Sequence, residues 1–377
     1  MKIAIMTWYT DINYGSLLQA YALSSVLSQK GKTDIIDYHP TRGTLVKLSK
    51  KEKIIQKIIN KEKNILNPNI IVGECALPFK EFIEKYLKTT EPYVGIDEVR
   101  RLNDTYDLFV CGSDQIWSPL AFNKHYFLDF VKDKNKMIAY APSLGVSHFP
   151  NPESENQIGQ LIERFEFLSC REKTGCDLIK QITGKDAIRV LDPTLLLREK
   201  EWTEAFSLRK KENIKPYLLA YFLGDNKQYW KVVRKLANQL NLEVRIVPVY
   251  KKDLHRQGII ERHLDPRQFV ELVYNATYIC TDSFHGTAFS ANFNKAFSCF
   301  QRFSNADINN QNSRVYDFLK LIGMENRLVS KISNLNRISN LNHDAKSFFE
   351  ANKRLEMCRK ESIKFLYRSI EKAISCK

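Results

Sequence analysis

The feature that most constrains this chain is an alternation running through most of its length, in which short apolar runs of strand size give way, after a turn, to longer amphipathic stretches. A strand covered by helices on both faces needs a nearly continuous apolar run, and a strand, helix, strand order builds parallel sheets. The first unit is explicit: KIAIMTW leads through YTDINYGS into the helix LLQAYALSSVLSQK, closed by Gly31, and TDIIDYH reads as the second strand. DLFVC, KMIAYA, FEFLSCRE and AIRVLDPTLLL continue the series, with helices near 154–164 and 173–182. A polar stretch, 198–215, ends at Pro216, and the pattern then restarts with strands PYLLAYFLG, EVRIVPVY, TYICTDS and AFSCFQ between helices, one of them opened by Asp265 and Pro266.

At 377 residues the chain exceeds what one core usually organises. The expectation is two α/β domains, 1–197 and 198–377, with 44–103 as a mostly helical insertion in the first. The tail from 342 reads as a long helix with apolar residues at Phe348, Phe349, Leu355, Met357, Ile363, Phe365 and Leu366, crossing back onto the first domain.

The formal net charge of +15 admits nucleic acid, an anionic bilayer or a phosphorylated substrate as partner. Much of the excess sits in KLSKKEKIIQKIINKEK at 47–63 and beyond Lys353. Such stretches read first as solvated helix faces, and second as a surface for anionic lipid or a lipid-diphosphate-linked sugar. No aromatic strand platform is interleaved with the basic residues, so nucleic acid is not expected. The eight cysteines form no CxxC pair and read as reduced thiols of a cytoplasmic protein. No apolar run reaches the roughly 18 residues of a membrane span. The opening MKIAIMTWY reads as a strand rather than a leader, which leaves peripheral contact at the inner membrane face as the expected membrane association.

In open α/β sheets ligands collect beyond the carboxyl ends of the strands, so the turns there carry the candidate chemistry. The first holds Asn13, Tyr14 and Gly15 before a helix whose free N–H groups suit an anion or a sugar hydroxyl. Its single glycine is no dinucleotide fingerprint. The second holds Ser113, Asp114, Gln115 and Trp117, an aromatic with paired polar groups as a sugar site offers, and Asp114 is a candidate base. The third, Ala141 to Gly145, reads as loop shaping. In the fourth, Arg171 could fork onto a carboxylate or phosphate, or simply form an ion pair. The fifth is the sharpest: Ser283, His285, Gly286 and Thr287, with Asp282 beside them, put an imidazole at a helix start, suited to act as a general acid or to bind phosphate. No HExxH, GxSxG or metal-spaced cluster occurs, and no metal is expected.

Taken in order, the N-x-G turn with LLQAYAL, GSDQIW, YAPSLG, SCREKTG, LDPTLLL, TDSFHGTAF with NKAF, and Asn312-Ser313-Arg314 before VYDFLKLIG resemble the polysaccharide pyruvyl transferase family over about residues 1–325. The resemblance implies two Rossmann-like domains facing across a cleft, similar to GT-B glycosyltransferases. It also implies phosphoenolpyruvate as co-substrate, with no other cofactor, and a saccharide acceptor, free or on a lipid diphosphate, in bacterial surface polysaccharide synthesis. His285 matches the family histidine and Arg171 its donor-binding arginine. The chain departs from the family's Arg-Leu-His by carrying Ser283 and Phe284 before His285, which leaves Arg314, or a lysine from elsewhere, as the cation to replace the absent arginine. Two rivals stand beside this reading: a glycosyltransferase of the same fold using a nucleotide-sugar, and a non-catalytic sugar- or nucleic-acid-binding protein.

Overall fold

The computed structural model describes residues 1–38, 75–93, 96–304, 311–330 and 345–375. Two wholly parallel sheets hold twelve strands among the described residues. The first has the order β2 (Lys32–Ile35), β1 (Lys2–Met6), β3 (Leu108–Cys111), β4 (Met137–Ala139), β5 (Phe167–Cys170), β6 (Ile188–Arg189). The second runs β12 (Leu328–Val329), β11 (Ala296–Phe300), β10 (Tyr278–Thr281), β7 (Tyr217–Tyr221), β8 (Glu243–Val247), β9 (Ile259–Ile260). β3, β7, β10 and β11 are buried at every residue, as strands sandwiched between helices must be.

Strand order fixes where ligands can bind. In the first sheet the direction of growth reverses between β1 and β3, paired with Ile5 opposite Val110; in the second it reverses between β7 and β10, paired with Leu219 opposite Ile279. At such a switch point the crossover helices leave on opposite faces and open a crevice at the carboxyl ends of the strands. The turns carrying Asn13, Asp114 and His285 all stand at these two crevices.

The domains are joined by an apolar core that crosses the boundary. Tyr14, from the helix Tyr14–Ser28, stacks on Phe269 of the second domain at 4.6 Å. Trp202, in the crossing helix Glu199–Phe206, packs against both Tyr21 and Phe289 at 5.7 and 5.1 Å. The expected C-terminal helix is present as Ala345–Ser375 and does cross back. Arg359 donates to Asn292 of the second domain and to the Leu195 carbonyl, Leu191 N donates to Ser362 Oγ, and Tyr367 donates to Gln29. Its buried stripe runs through Phe348, Ala351, Leu355, Arg359, Ser362 and Leu366 at three- and four-residue steps, so Phe349 and Met357, read as apolar anchors, fall on the solvent face.

Two further readings change. AIRVLDPTLLL is a strand only at Ile188–Arg189, because Asp192 and Pro193 turn the chain into a helical turn in which Asp192 Oδ1 accepts from Thr194 N and Oγ1. β9 and β12, of two residues each, have no counterpart among the expected strands. The lysine-rich stretch 47–63 and most of the helical insertion lie outside the described residues, although Ala76–Tyr86 and Ile96–Arg100 within that insertion are helical. No helix among the described residues is long and apolar enough to cross a membrane.

Candidate active site

A cavity of about 250 Å³ opens where the two switch points face each other, and residues of both domains line it. From the first domain come Trp8, Asp11, Asn13, Ser16, Asp114 and Gln115; from the second come Asp282, Ser283, His285, Arg302 and Arg314. Each polar group is placed by an element end. Asn13 caps its helix, accepting from Gly15 N and Ser16 N, and Ser16 donates to Asp114 Oδ2 at 2.6 Å. Ser283 caps the helix Phe284–Asn292, accepting from Gly286 N, which sets His285 one residue inside that helix.

His285 spans the domain boundary. Its ring lies on Gly15 so closely that a Cβ there would stand 1.9 Å from Nδ1. Nε2 is buried without a hydrogen bond, with Asp192 Oδ2 at 3.5 Å as its ionic neighbour. Nδ1 is the ring atom packed nearest Gly15. It stands over the turn that brings Asn13 and Ser16 to the cavity.

Beneath the ring lies a buried charge cluster. Arg171 Nη1 bonds Asp192 Oδ2 at 2.7 Å, its Nη2 lies 3.7 Å from Asp114 Oδ1 and its Nε 3.8 Å from Glu172 Oε2, and its guanidinium rests on the Phe284 ring at 4.4 Å. Burial would weaken the arginine, but the three carboxylates outweigh it and raise its pKa. Burial likewise works against ionised Asp114 and Asp192. Arg171 and His285 prevail at Asp114, as His285 and Arg171 do at Asp192, and both carboxyls are held below their usual range. Asp282 goes the other way. Burial pushes it up to about 6, against the pull of Arg302 and of the Leu223 and Gly224 N–H groups that its oxygens accept at 2.6 and 2.8 Å. The cavity thus holds one carboxylate fixed in its ionised form and one poised near neutrality.

The cations of the wall are differently placed from Arg171. Arg314 bonds only the neutral Gln311, through its side-chain and backbone oxygens, and burial together with Arg171 draws its pKa down to about 10. Arg302 rests on the Phe303 ring at 4.9 Å, and no carboxylate lies within ion-pair distance of it among the described residues. Among the described residues neither guanidinium has a carboxylate within ion-pair distance, and with an imidazole and two hydroxyl- and amide-bearing turns beside them the arrangement is chemically suited to an anion.

Of the expected site residues, Asn13, Asp114, Gln115, Ser283, His285 and Arg314 are brought together around the cavity, and Gly15 seats the imidazole. The others do not line it. Trp117 is fully buried, stacked on Phe127 at 5.0 Å with its N–H on the Tyr126 carbonyl, so it cannot stack on a sugar; the tryptophan of the wall is Trp8. Tyr14 is spent on domain packing, Ser113 donates to the Ala141 carbonyl, and Thr287 donates to the Ser283 carbonyl. Gly286 meets Thr281, where a Cβ would come within 2.6 Å of Oγ1. Arg171 is engaged by carboxylates below the cavity rather than open to it. The Ala141–Gly145 loop is scaffolding, as expected: Glu172 accepts from Ser143 Oγ and Leu144 N, and Gln115 rides over Gly145. Sequence reasoning missed Asp192, Arg302 and Trp8. For Asp192 the signal was an Asp-Pro at the end of an apolar run, which marks a capped turn instead of a continuing strand.

The model of the polysaccharide pyruvyl transferase family matches residues 13–305. No curated protein matches the sequence. Among solved structures, the chain is similar in fold to UDP-GlcNAc 2-epimerase from Neisseria meningitidis bound to UDP-GlcNAc, with 9% identity, a TM-score of 0.52 and coverage of 98% of this chain and 100% of that one. Arabidopsis thaliana UGT89C1 complexed with UDP-L-rhamnose gives 11% identity and a TM-score of 0.51 over 99% of each chain. UDP-N-acetylglucosamine 2-epimerase from Rickettsia bellii gives 10% identity and a TM-score of 0.51, covering 97% of this chain and 96% of that one. At such identities the likeness is one of fold: two Rossmann-like domains in the GT-B arrangement.

Proposed function

The chain belongs to the polysaccharide pyruvyl transferase family, and from that premise we propose that it transfers the pyruvyl group of phosphoenolpyruvate to two hydroxyls of a saccharide, closing a cyclic ketal. The observation that carries this reading is that Arg302 and Arg314, with no carboxylate within ion-pair distance among the described residues, line one cavity with His285. Phosphoenolpyruvate brings a phosphate and a carboxylate flanking one carbon, and two guanidiniums suit those two anions. They also supply the cation that Ser283 cannot.

In this mechanism His285 Nδ1 gives its proton to the methylene carbon of the donor, leaving the central carbon electron-poor. A saccharide hydroxyl oxygen bonds to that carbon and its proton passes to Asp282, the cavity carboxylate whose pKa of about 6 suits a base near neutral pH. The bond to the phosphate oxygen then breaks, phosphate departs, and the second hydroxyl closes the ring. The proton held by Asp282 leaves on phosphate and the proton of the second hydroxyl restores His285, so the sum is donor plus diol giving ketal plus phosphate. Asp114, held ionised, offsets the positive charge that develops at the central carbon, and Asp192 holds Nε2 of the imidazole inward. The acceptor is taken as a saccharide, free or on a lipid diphosphate, and the site as cytoplasmic.

Phosphate release with phosphoenolpyruvate and a pool of saccharide acceptors tests the proposal. Parent protein should release phosphate only when both are present, and His285→Asn should lower the rate at least about 100-fold, the lower end of what a positioned acid contributes. Unchanged turnover in the variant would remove His285 from the reaction. Stabilisation by UDP- or GDP-sugars but not by phosphoenolpyruvate in a thermal-shift comparison would favour the glycosyltransferase reading instead.

A further inference from the structure

Beside the cleft, the second domain carries another groove, of about 310 Å³, between the helix Lys227–Leu240 and the turn after β8. Its wall contains Trp230, Arg234, Lys252, His255, Arg256 and Gln257, and no acidic residue. The acids that neutralise part of this charge stand behind it. Asp225 pairs with Lys252, and buried Asp253 bonds Arg256 Nε at 2.6 Å while also accepting from Val249 N and Tyr250 N. These pairs hold the two cations in place, the Arg256 guanidinium carbon lies 3.8 Å from the centroid of the Trp230 ring, and its terminal nitrogens have no partner among the described residues. Arg234 and His255 form no ion pair or hydrogen bond among the described residues. The groove wall therefore combines two cations held by acids behind it with Arg234, which no acid among the described residues neutralises, an arrangement suited to phosphate oxygens.

Its position relates it to the cavity. Asp225, which holds Lys252, is two residues from Leu223 in the cavity wall, at most about 7 Å of chain. Tyr250, in the turn that carries the groove, donates to the Leu223 carbonyl at 2.7 Å.

We infer that this groove is a second anion site, binding a phosphate or diphosphate ester separately from the donor site in the cleft. Its service to the acceptor's diphosphate rests on the pyruvyl-transfer reading; its affinity for phosphate does not. The full-length protein, labelled with ¹⁵N at its four tryptophan indoles, gives one reporter in each site, Trp230 in the groove and Trp8 in the cavity, with buried Trp117 and Trp202 as controls. Inorganic pyrophosphate should shift the Trp230 signal saturably, and Arg234→Ala/His255→Ala should weaken that response at least about tenfold, the loss of one charge-assisted hydrogen bond. The Trp8 response to phosphoenolpyruvate should stay as in the parent. A Trp230 signal that stays still while Trp8 moves overturns the groove and leaves the cleft reading intact; the reverse pattern overturns the cleft reading alone. Flotation with phosphatidylcholine vesicles, with and without phosphatidylglycerol, separates the sources. Binding to anionic vesicles that the double variant loses assigns the groove to a membrane headgroup, and a Trp230 shift without flotation assigns it to a soluble phosphate ester.

Discussion

Replacing Gly15 with alanine should disable the site while leaving the fold in place. Gly15 has no left-handed backbone to demand glycine; what occupies the space of its missing side chain is the His285 ring. A Cβ would stand 1.9, 2.4 and 2.6 Å from Nδ1, Cγ and Cε1, and ordinary contact begins near 3.4 Å, so the ring would have to retreat by about 1.5 Å. It has little room, with Asp192 behind Nε2 and Phe284 against its edge. A displacement of about 1 Å at a reacting group costs about 100-fold in rate. We expect Gly15→Ala to lower kcat for phosphate release by at least that factor. The clash should cost about 1–3 kcal/mol of stability, offset by up to about 1 kcal/mol from the better helix propensity of alanine. Stopped-time phosphate assays with circular dichroism and a thermal melt measure both. A folded Gly15→Ala protein turning over within threefold of the parent would refute the reasoning that His285 works from this seat.

Three further outcomes follow from the same geometry. Arg302→Gln and Arg314→Gln should each weaken phosphoenolpyruvate binding by roughly 10- to 150-fold, the worth of one charge-assisted hydrogen bond at about 1.5–3 kcal/mol, read by titration calorimetry. With Asp282 as the base and its pKa pushed up to about 6, kcat should rise about tenfold per pH unit below that point, and Asp282→Asn should lack this rising limb in a pH–rate profile. Asp192→Asn removes one partner of a buried pair and should cost about 3–5 kcal/mol at pH 7 in urea unfolding. Asp192 is depressed in the folded protein, so its contribution is full above the unfolded carboxyl value near 4 and fades as pH falls through the folded one; the gap between parent and variant should narrow in that acid range.

The sheets were legible in the sequence because strands covered on both faces advertise themselves as unbroken apolar runs, and the first and fifth turns were legible because capping residues and a histidine mark strand ends. Residues whose roles depend on what faces them across the domain boundary were not. Trp117 looks like a sugar-stacking aromatic in sequence and Tyr14 like part of a ligand-binding turn, yet Tyr14 fills the interdomain core and Trp117 lies under Phe127. Arg171 looks like a ligand-binding arginine until Asp192, Asp114 and Glu172 are found around it. Arg302, just beyond β11, carried no motif, and only the folded chain shows that no carboxylate among the described residues lies within ion-pair distance of it.

On the proposed reading, phosphoenolpyruvate binds between the domains with its anions on Arg302 and Arg314 and its methylene carbon toward His285. A crystal structure with the donor soaked in tests it most directly. The account predicts both guanidiniums within hydrogen-bonding distance of phosphate or carboxylate oxygens and Nδ1 within about 3.5 Å of the methylene carbon, the reach of a reactive pose. Donor density elsewhere, or in the cavity with its methylene turned away from the imidazole, would contradict it.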